Sequence, residues 1–428
     1  MRNFKVLATC VATFITLCAY SQLSYKINAT GQTICYDDKG KVLKSLKVGD
    51  KLYGQDANYQ RGSAMTFHDN GDGTVSDSNT GLVWQQIPHA EGMTWAEAKE
   101  YCEKLELGGH NDWRLPTLKE LFSISNFEEG WPYLDTKFFK LSTGRIVKDE
   151  QYWADNKYVG ETVEGRDDAA FGVNHVTGHI KAYPAGSKMG NREGGGERRP
   201  PMPEGEGGGK RPPMQAGNQG RQGGQGSMPP PPGGGGQGGR PMGNPMAKRV
   251  RAVRGEAYGV NKFVDNGDGT ISDTATGLMW AKDDNGKGVE WVEALPYAEG
   301  AELAGYSDWR LPSVKELQSI VDYSRAPSSK GVVAAIDPIF NCTPSVNEAG
   351  DADFGYYWTN TSACFTKGRP FYFAWYVAFG RAVNNQGADF HGAGAVRFDS
   401  KANNGIAIEG GEERYYNFVR LVRDISKK

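Results

Sequence analysis

The sequence D-N-G-D-G-T occurs twice, at 69–74 and at 265–270. Clustered Asp and Asn oxygens are what a hard cation such as calcium requires. The spacing argues otherwise. An EF-hand loop needs oxygen ligands at positions 1, 3 and 5 and glycine at 6. Setting Gly73 or Gly269 at position 6 puts His68 or Val264 at position 1 and leaves position 12 without a glutamate. Asp69, Asp72, Asp265 and Asp268 are therefore expected to brace tight turns. No metal or other cofactor is expected, with a non-EF calcium site as the alternative.

A second candidate chemistry is ligand binding. Residues 371–385, FYFAWYVAFGRAVNN, gather Tyr372, Trp375, Tyr376, Arg381, Asn384 and Asn385. Rings stack on sugar faces, and amides and guanidinium groups reach hydroxyls or anions. The competing expectation is that alternate aromatics face the core of a sheet. The corresponding stretch of the first copy, 169–183, is poorer in rings. Signs of catalysis are weak. None of the six histidines recurs at an equivalent place in the two copies described below. His175 and His179 are four apart, but the residues between them do not read as helix. No nucleophile elbow, phosphate loop or dinucleotide pattern occurs. Asp112 and Asp308 precede W-R-L-P, and with Arg114 and Arg310 they read as structural ion pairs.

These motifs need elements to position them, and the elements come in duplicate. Residues 67–84 and 263–280 agree at 13 of 18 positions. The copies stay in step from Asp69 and Asp265 through Trp84 and Trp280 to Trp113 and Trp309, always 196 residues apart. Residues 112–121 and 308–317 agree at eight of ten. This is a tandem domain. In each copy the Asp-rich turn joins short strands. A helix follows, opened by the capping box Thr94/Glu97, with Trp95, Ala98, Tyr101, Cys102 and Leu105 on one face. The second copy keeps Trp291, Ala294, Tyr297 and Ala298, and Pro296 predicts a kink or a shorter helix. Capping boxes Thr117/Glu120 and Ser313/Glu316 open a second helix. Two helices followed by short irregular antiparallel strands make each copy α+β.

The division along the chain follows. Residues 1–21 form a leader, with basic Arg2 and Lys5, an apolar run over 6–19, and Ala19 and Ser21 ahead of a cleavage site. Residues 22–59 form a short lead-in. The first domain spans 60–255 and the second 256–426. Residues 185–247 hold 21 Gly and 11 Pro among 63 positions, too little apolar surface to fold, and are expected to be disordered. VRAVRG at 250–255 matches VRLVRD at 419–424, which makes that stretch an insertion in the first domain. An ordinary interdomain linker is the alternative.

The chain has 49 basic and 51 acidic side chains, and removing Arg2 and Lys5 leaves 47 against 51. That balance argues against a nucleic-acid partner. No stretch is long and apolar enough for a transmembrane helix. The expected location is secreted, periplasmic or cell-surface. There, four remaining cysteines are expected to pair, Cys342 with Cys364 and Cys35 with Cys102. The oligomeric state is open.

Together, D-N-G-D-G-T-x-x-D-x-x-T-G-L-x-W, the Trp-led helix and W-R-L-P-[TS]-x-K-E-L resemble the Lcl C-terminal domain of a collagen-like bacterial adhesin. The resemblance implies a fold of the C-type-lectin-like superfamily and adhesion through an extracellular glycan or polyanion, sulfated glycans in the founding adhesin. It implies no catalytic residues. The alternatives are an enzyme or accessory factor acting on extracellular polysaccharide, and a structural surface component.

Overall fold

Asn-Gly and Asp-Gly turns open both copies. A computed structural model describes residues 23–163, 168–186, 247–364, 370–384, 386–403 and 414–425. The leader at 1–21, nearly all of 185–247, and Asn385 lie outside the described residues. In chain order the lead-in contributes β1 (Cys35–Tyr36), β2 (Val42–Leu43) and α1 (Asp56–Tyr59). The first copy adds β3 (Phe67–Asp69), β4 (Thr74–Asp77), β5 (Val83–Gln85), α2 (Trp95–Glu103), α3 (Leu118–Ser123), β6 (Gln151–Tyr158), β7 (Ala169–Asn174), β8 (Ile180–Pro184) and β9 (Val253–Arg254). The second adds β10 (Phe263–Asp265), β11 (Thr270–Asp273), β12 (Leu278–Ala281), α4 (Trp291–Glu299), α5 (Val314–Ser319), β13 (Pro344–Val346), β14 (Ala352–Phe354), β15 (Tyr356–Ala363), β16 (Phe373–Ala378), β17 (Val396–Ser400) and β18 (Val422–Asp424).

The expected α+β class, with two helices setting a C-type-lectin-like frame in each copy, is not what forms. Among the described residues there are 18 strands in antiparallel sheets and five helices, none longer than nine residues. The molecule is mostly β. The capping boxes are present, with Thr94, Thr117 and Ser313 each accepting from the backbone N–H three residues on. A cap fixes where a helix starts, however, and not how far it runs. α3 and α5 stop after six residues. The strands in the C-terminal halves, rich in β-branched and aromatic residues, then outweigh them.

Each copy builds a four-stranded sheet, ordered β3-β4-β5-β9 and β10-β11-β12-β18. The D-N-G-D-G-T turn sits at its tip. Asp69 Oδ1 accepts from Gly71 N–H at 3.0 Å, and Asp72 Oδ1 accepts from the Thr74 amide at 3.0 Å and hydroxyl at 2.6 Å. Asp265 and Asp268 repeat this at 2.9, 3.0 and 2.6 Å. Gly71 and Gly73 take φ of 78° and 86°, which only glycine adopts without strain. Trp84 and Trp280, one strand inward, are fully buried.

W-R-L-P anchors the next layer. Trp113 and Trp309 donate their indole N–H to Leu107 O and Leu303 O, each at 3.2 Å. The ion pairs differ from those expected. Arg114 makes a two-pronged bond to Glu120 at 2.7 Å, and Arg310 makes one to Glu316 at 2.8 and 2.7 Å. Asp112 pairs with Arg254, and Asp308 with Arg423, on the closing strands β9 and β18. The guanidinium reaches forward over the helix start, leaving the flanking Asp for the neighbouring strand.

The two copies join in one six-stranded sheet ordered β15-β16-β17-β8-β7-β6, sewn at Val396 opposite Ile180. The order reads alike from either edge, as an approximate two-fold axis between β17 and β8 requires. Cross-contacts follow the same rule. Lys119 Nζ donates to Gly259 O at 3.1 Å and Asn261 Oδ1 at 2.7 Å. Its counterpart Lys315 donates to Ser123 O at 2.8 Å and Ala29 O at 3.0 Å, and lies 3.5 Å from Met65 Sδ. Met65 and Asn261 each stand two residues before their hairpin. All described residues belong to a single compact unit.

The expected disulfides do not form. Among the described residues no two of Cys35, Cys102, Cys342 and Cys364 stand at disulfide distance. They belong to separate surroundings. Cys102 packs with Trp113 and Trp153, Cys364 with Tyr36 and Phe371, and Cys342 lies 3.5 Å from Arg420 Nη2. Pairing by sequence proximity failed because the long β15 carries Cys364 away from Cys342.

Candidate functional site

β16 is buried on both faces, and this decides the fate of the aromatic segment. Phe373, Trp375 and Val377 enter the main core, while Ala374, Tyr376 and Ala378 enter a second one. Trp375 is edged by Phe127 and Tyr133 at 5.5 and 5.3 Å. Tyr376 stacks on Tyr356 at 4.7 Å, and Tyr372 is buried too. Arg381 is held by Asp353 at 3.0 Å and by Ala352 O at 2.7 Å. Asn384 Oδ1 accepts from the amides of Gln386 and Ala388 at 3.0 Å, closing a turn. Asn385 lies outside the described residues. These side chains hold the fold and present no stacking platform.

The histidines are structural as well. His175 is fully buried against Tyr152, 5.0 Å between rings, and His179 meets the Thr177 hydroxyl at 2.8 Å. Burial holds both well below the ordinary histidine pKa, so both are neutral at pH 7. Burial likewise pushes the Cys35 thiol up to about 11 and Cys102 to about 12, which removes them as nucleophiles.

Open space lies elsewhere, and it is duplicated. In the first copy a cleft of about 550 Å³ runs between the segment at 89–93 and the C-terminal half of α2. In the second, a cleft of about 540 Å³ occupies the same place beside α4. Tyr101 lines one and Tyr297 the other, at the same repeat position. So do Glu106 and Glu302, and His89 and Asn285.

The Tyr101 hydroxyl accepts from Gln85 Nε2 at 2.8 Å, and the His89 ring packs edge-on to it at 5.0 Å. Tyr297 is freer, at 46% exposure. Carboxylates outnumber cations in both clefts. Glu91, Glu97, Glu100 and Glu106 face the first with Lys104, which pairs with Glu100. Asp283, Asp284 and Glu302 line the second.

Asp284 is the best-defined of these groups. Burial alone would push its carboxyl up. The hydroxyls of Thr343 and Tyr357, both at 2.5 Å, and the Thr343 amide outweigh that and hold it below the usual range. It is a nearly sealed anion in the cleft wall, backed by the Arg420 guanidinium at 3.9 Å. The first copy builds the same cluster from another part of the chain. There Glu150 accepts from the Ser142 hydroxyl at 2.8 Å and the Tyr152 hydroxyl at 2.7 Å.

The clefts escaped the reading of the sequence because Tyr101 and Tyr297 fall on the buried stripe of an amphipathic helix. Their identity across the repeat was the available signal. Among the described residues, no three or more His, Cys, Asp or Glu stand where they could hold a metal ion.

The family model for the Lcl C-terminal domain matches residues 73–192 and 269–400, more than half of the chain. No curated protein and no solved structure matches it. A C-type-lectin-like placement is therefore not carried by these comparisons.

Proposed function

We infer the function from one premise: the chain belongs to the Lcl C-terminal domain family, through both of its repeats. Membership supports a surface, adhesin-like role. Its role is non-catalytic binding outside the cytoplasm, after loss of a leader at 1–21. Among the described residues no helix is long and apolar enough to cross a membrane.

The ligand we propose is a neutral glycan chain, held in the paired clefts beside Tyr101 and Tyr297. One observation carries this: an open cleft with a tyrosine and a surplus of carboxylates recurs at the same register in both copies. A phenol ring offers a face for a sugar, and carboxylates accept from sugar hydroxyls. The same carboxylates repel sulfate, so a sulfated chain is disfavoured in these clefts. Two sites on one compact unit let a long chain bind twice, which raises avidity without new contacts.

The test is a glycan array on the mature protein, with and without EDTA, followed by titration of the best ligand. Tyr101→Ala and Tyr297→Ala are each expected to weaken binding about tenfold, about 1.4 kcal/mol. Their combination should abolish avidity. Binding only to sulfated chains, or binding indifferent to both substitutions, would overturn the assignment. Loss with EDTA would bring in calcium. Turnover of a polysaccharide would replace binding with catalysis.

A further inference from the structure

The lead-in breaks the approximate two-fold. The chain has one lead-in for two copies. Its segment at 54–61 lies on the second copy, in the angle between the end of α4 and the W-R-L-P loop. The Tyr59 hydroxyl donates to Glu299, and the Tyr59 ring stands 5.8 Å from the Arg310 guanidinium. Asp56 accepts from the Thr361 hydroxyl at 2.6 Å, and Arg61 pairs with Asp424 at 3.2 Å. Gly54 comes so close that a Cβ there would lie 2.7 Å from Glu299 Oε1.

The equivalent angle on the first copy is a cleft of about 380 Å³ lined by Lys99, Glu103, Arg114, Thr117, Asp155 and Ala257. No described segment fills it. Glu103 stands where Glu299 does, Arg114 where Arg310 does, and Thr117 where Ser313 does. The exposures measure what is missing. The Arg114 side chain is 35% exposed against 2% for Arg310. Asp155 is 40% exposed, while its counterpart Asn360 is buried. Glu103 is exposed and Trp95 half-buried, whereas Trp291 is fully buried.

We propose that this cleft on the first copy is a docking site for an extended peptide segment of a partner protein that presents a tyrosine. The filled cleft on the second copy is its template. The tyrosine hydroxyl donates to Glu103, its ring lies against the Arg114 guanidinium, and a glycine or other small residue upstream allows the close approach that Gly54 makes. The lining also says what is not required. Gly255 stands where Asp424 does, so the arginine two residues after the tyrosine has no partner here. Lys99 replaces Leu295 and is neutralised by Asp155 at 2.8 Å, so the wall keeps no net pull on a charged flank. A second copy's own lead-in is the weaker occupant, since it would empty one cleft to fill another. This inference is independent of the glycan assignment, which concerns the opposite side of α2.

The probe is a synthetic peptide with the sequence of residues 53–61, YGQDANYQR, dye-labelled and titrated into the full mature protein by fluorescence anisotropy. Saturable binding is expected. The peptide carrying Tyr59→Ala should bind at least tenfold more weakly, and so should the parent peptide to the Glu103→Ala protein. Glu103 is exposed and ends a helix, so that variant should fold, which its thermal unfolding would verify. Absence of saturable binding, or binding unchanged by Glu103→Ala, would overturn the proposal. Exchange into the second copy would give the latter result.

Discussion

Two ion pairs with the same geometry sit in different solvents. Arg310 and Glu316 are sealed, with side chains 2% and 3% exposed, whereas Arg114 is 35% exposed beside a buried Glu120. Arg310 and the hydrogen bonds from Ser313 hold the Glu316 carboxyl low against the burial that would raise it. Removing the charge of Glu316 leaves a buried guanidinium with only the more distant Asp424, 3.6 Å away, whereas Arg114 can turn to water. Glu316→Gln should therefore cost about 3–5 kcal/mol, the usual loss when one partner of a buried pair is removed. Glu120→Gln should cost about 1–2 kcal/mol, nearer the loss of a charge-assisted hydrogen bond. Urea unfolding of the two variants checks this, and equal losses would show that burial does not set the difference. At this scale the sequence was half legible. W-R-L-P and K-E-L were visible as repeated motifs, but the arginine was assigned to its near neighbour Asp112 and not to Glu120. Chain proximity cannot show that an extended loop before a helix folds its arginine over the helix start.

Helix α4 carries Pro296 in its sixth position and still spans nine residues, the length of α2. Of the two expected outcomes, a kink or a shorter helix, the shortening does not occur. Pro296 removes one backbone donor, but Trp291, Ala294, Leu295 and Ala298 remain buried and hold the helix against the core. Packing outweighs propensity here. The first copy has Glu100 at this position, on the solvent side. Pro296→Glu should therefore stabilise the protein by about 1–2 kcal/mol, part of the roughly 3 kcal/mol penalty of an interior proline, with the rest offset by a freer unfolded chain. Thermal unfolding would read this as a raised Tm, and a lowered Tm would show that proline fits the cleft wall better than any helix former. The same scale explains why the aromatic segment at 371–385 offers no open face. Alternating aromatics imply one wet face only when a strand lies at a surface. β16 lies inside a six-stranded sheet with cores on both sides, so Trp375 and Tyr376 are buried in opposite directions. Local periodicity carries no information about the second layer.

The whole molecule is organised by the pairing of its copies, and two lysines occupy the seam, Lys315 buried and Lys119 half-buried. The repeat itself was plain in the sequence, with Lys119 and Lys315 in the shared K-E-L. Their destination was not, because a lysine on a helix normally faces water. Lys315 is 3% exposed and ends on the carbonyls of Ser123 and Ala29. Burial pushes its amine down to about 7, against the opposing pull of Asp77 and Asp56. In the unfolded chain the amine returns to about 10.4. Between those values the unfolded state holds a proton that the folded state has lost, so this group makes stability rise with pH. Below pH 7 both states are charged and the cost of burying the ammonium is constant. Lys119, brought down to about 8 by burial, adds a narrower contribution of the same sign. Lys315→Met removes one such contribution and, with it, two hydrogen bonds that shift stability equally at every pH. The difference in unfolding free energy between the native protein and Lys315→Met should then be flat from pH 5 to 7. Above pH 7 it should move in favour of the native protein, by at most about 1.4 kcal/mol per pH unit. Urea unfolding of both proteins at pH 5, 7 and 9 measures it. A difference independent of pH would mean that the amine stays charged in the seam, with the carbonyls compensating its burial in full.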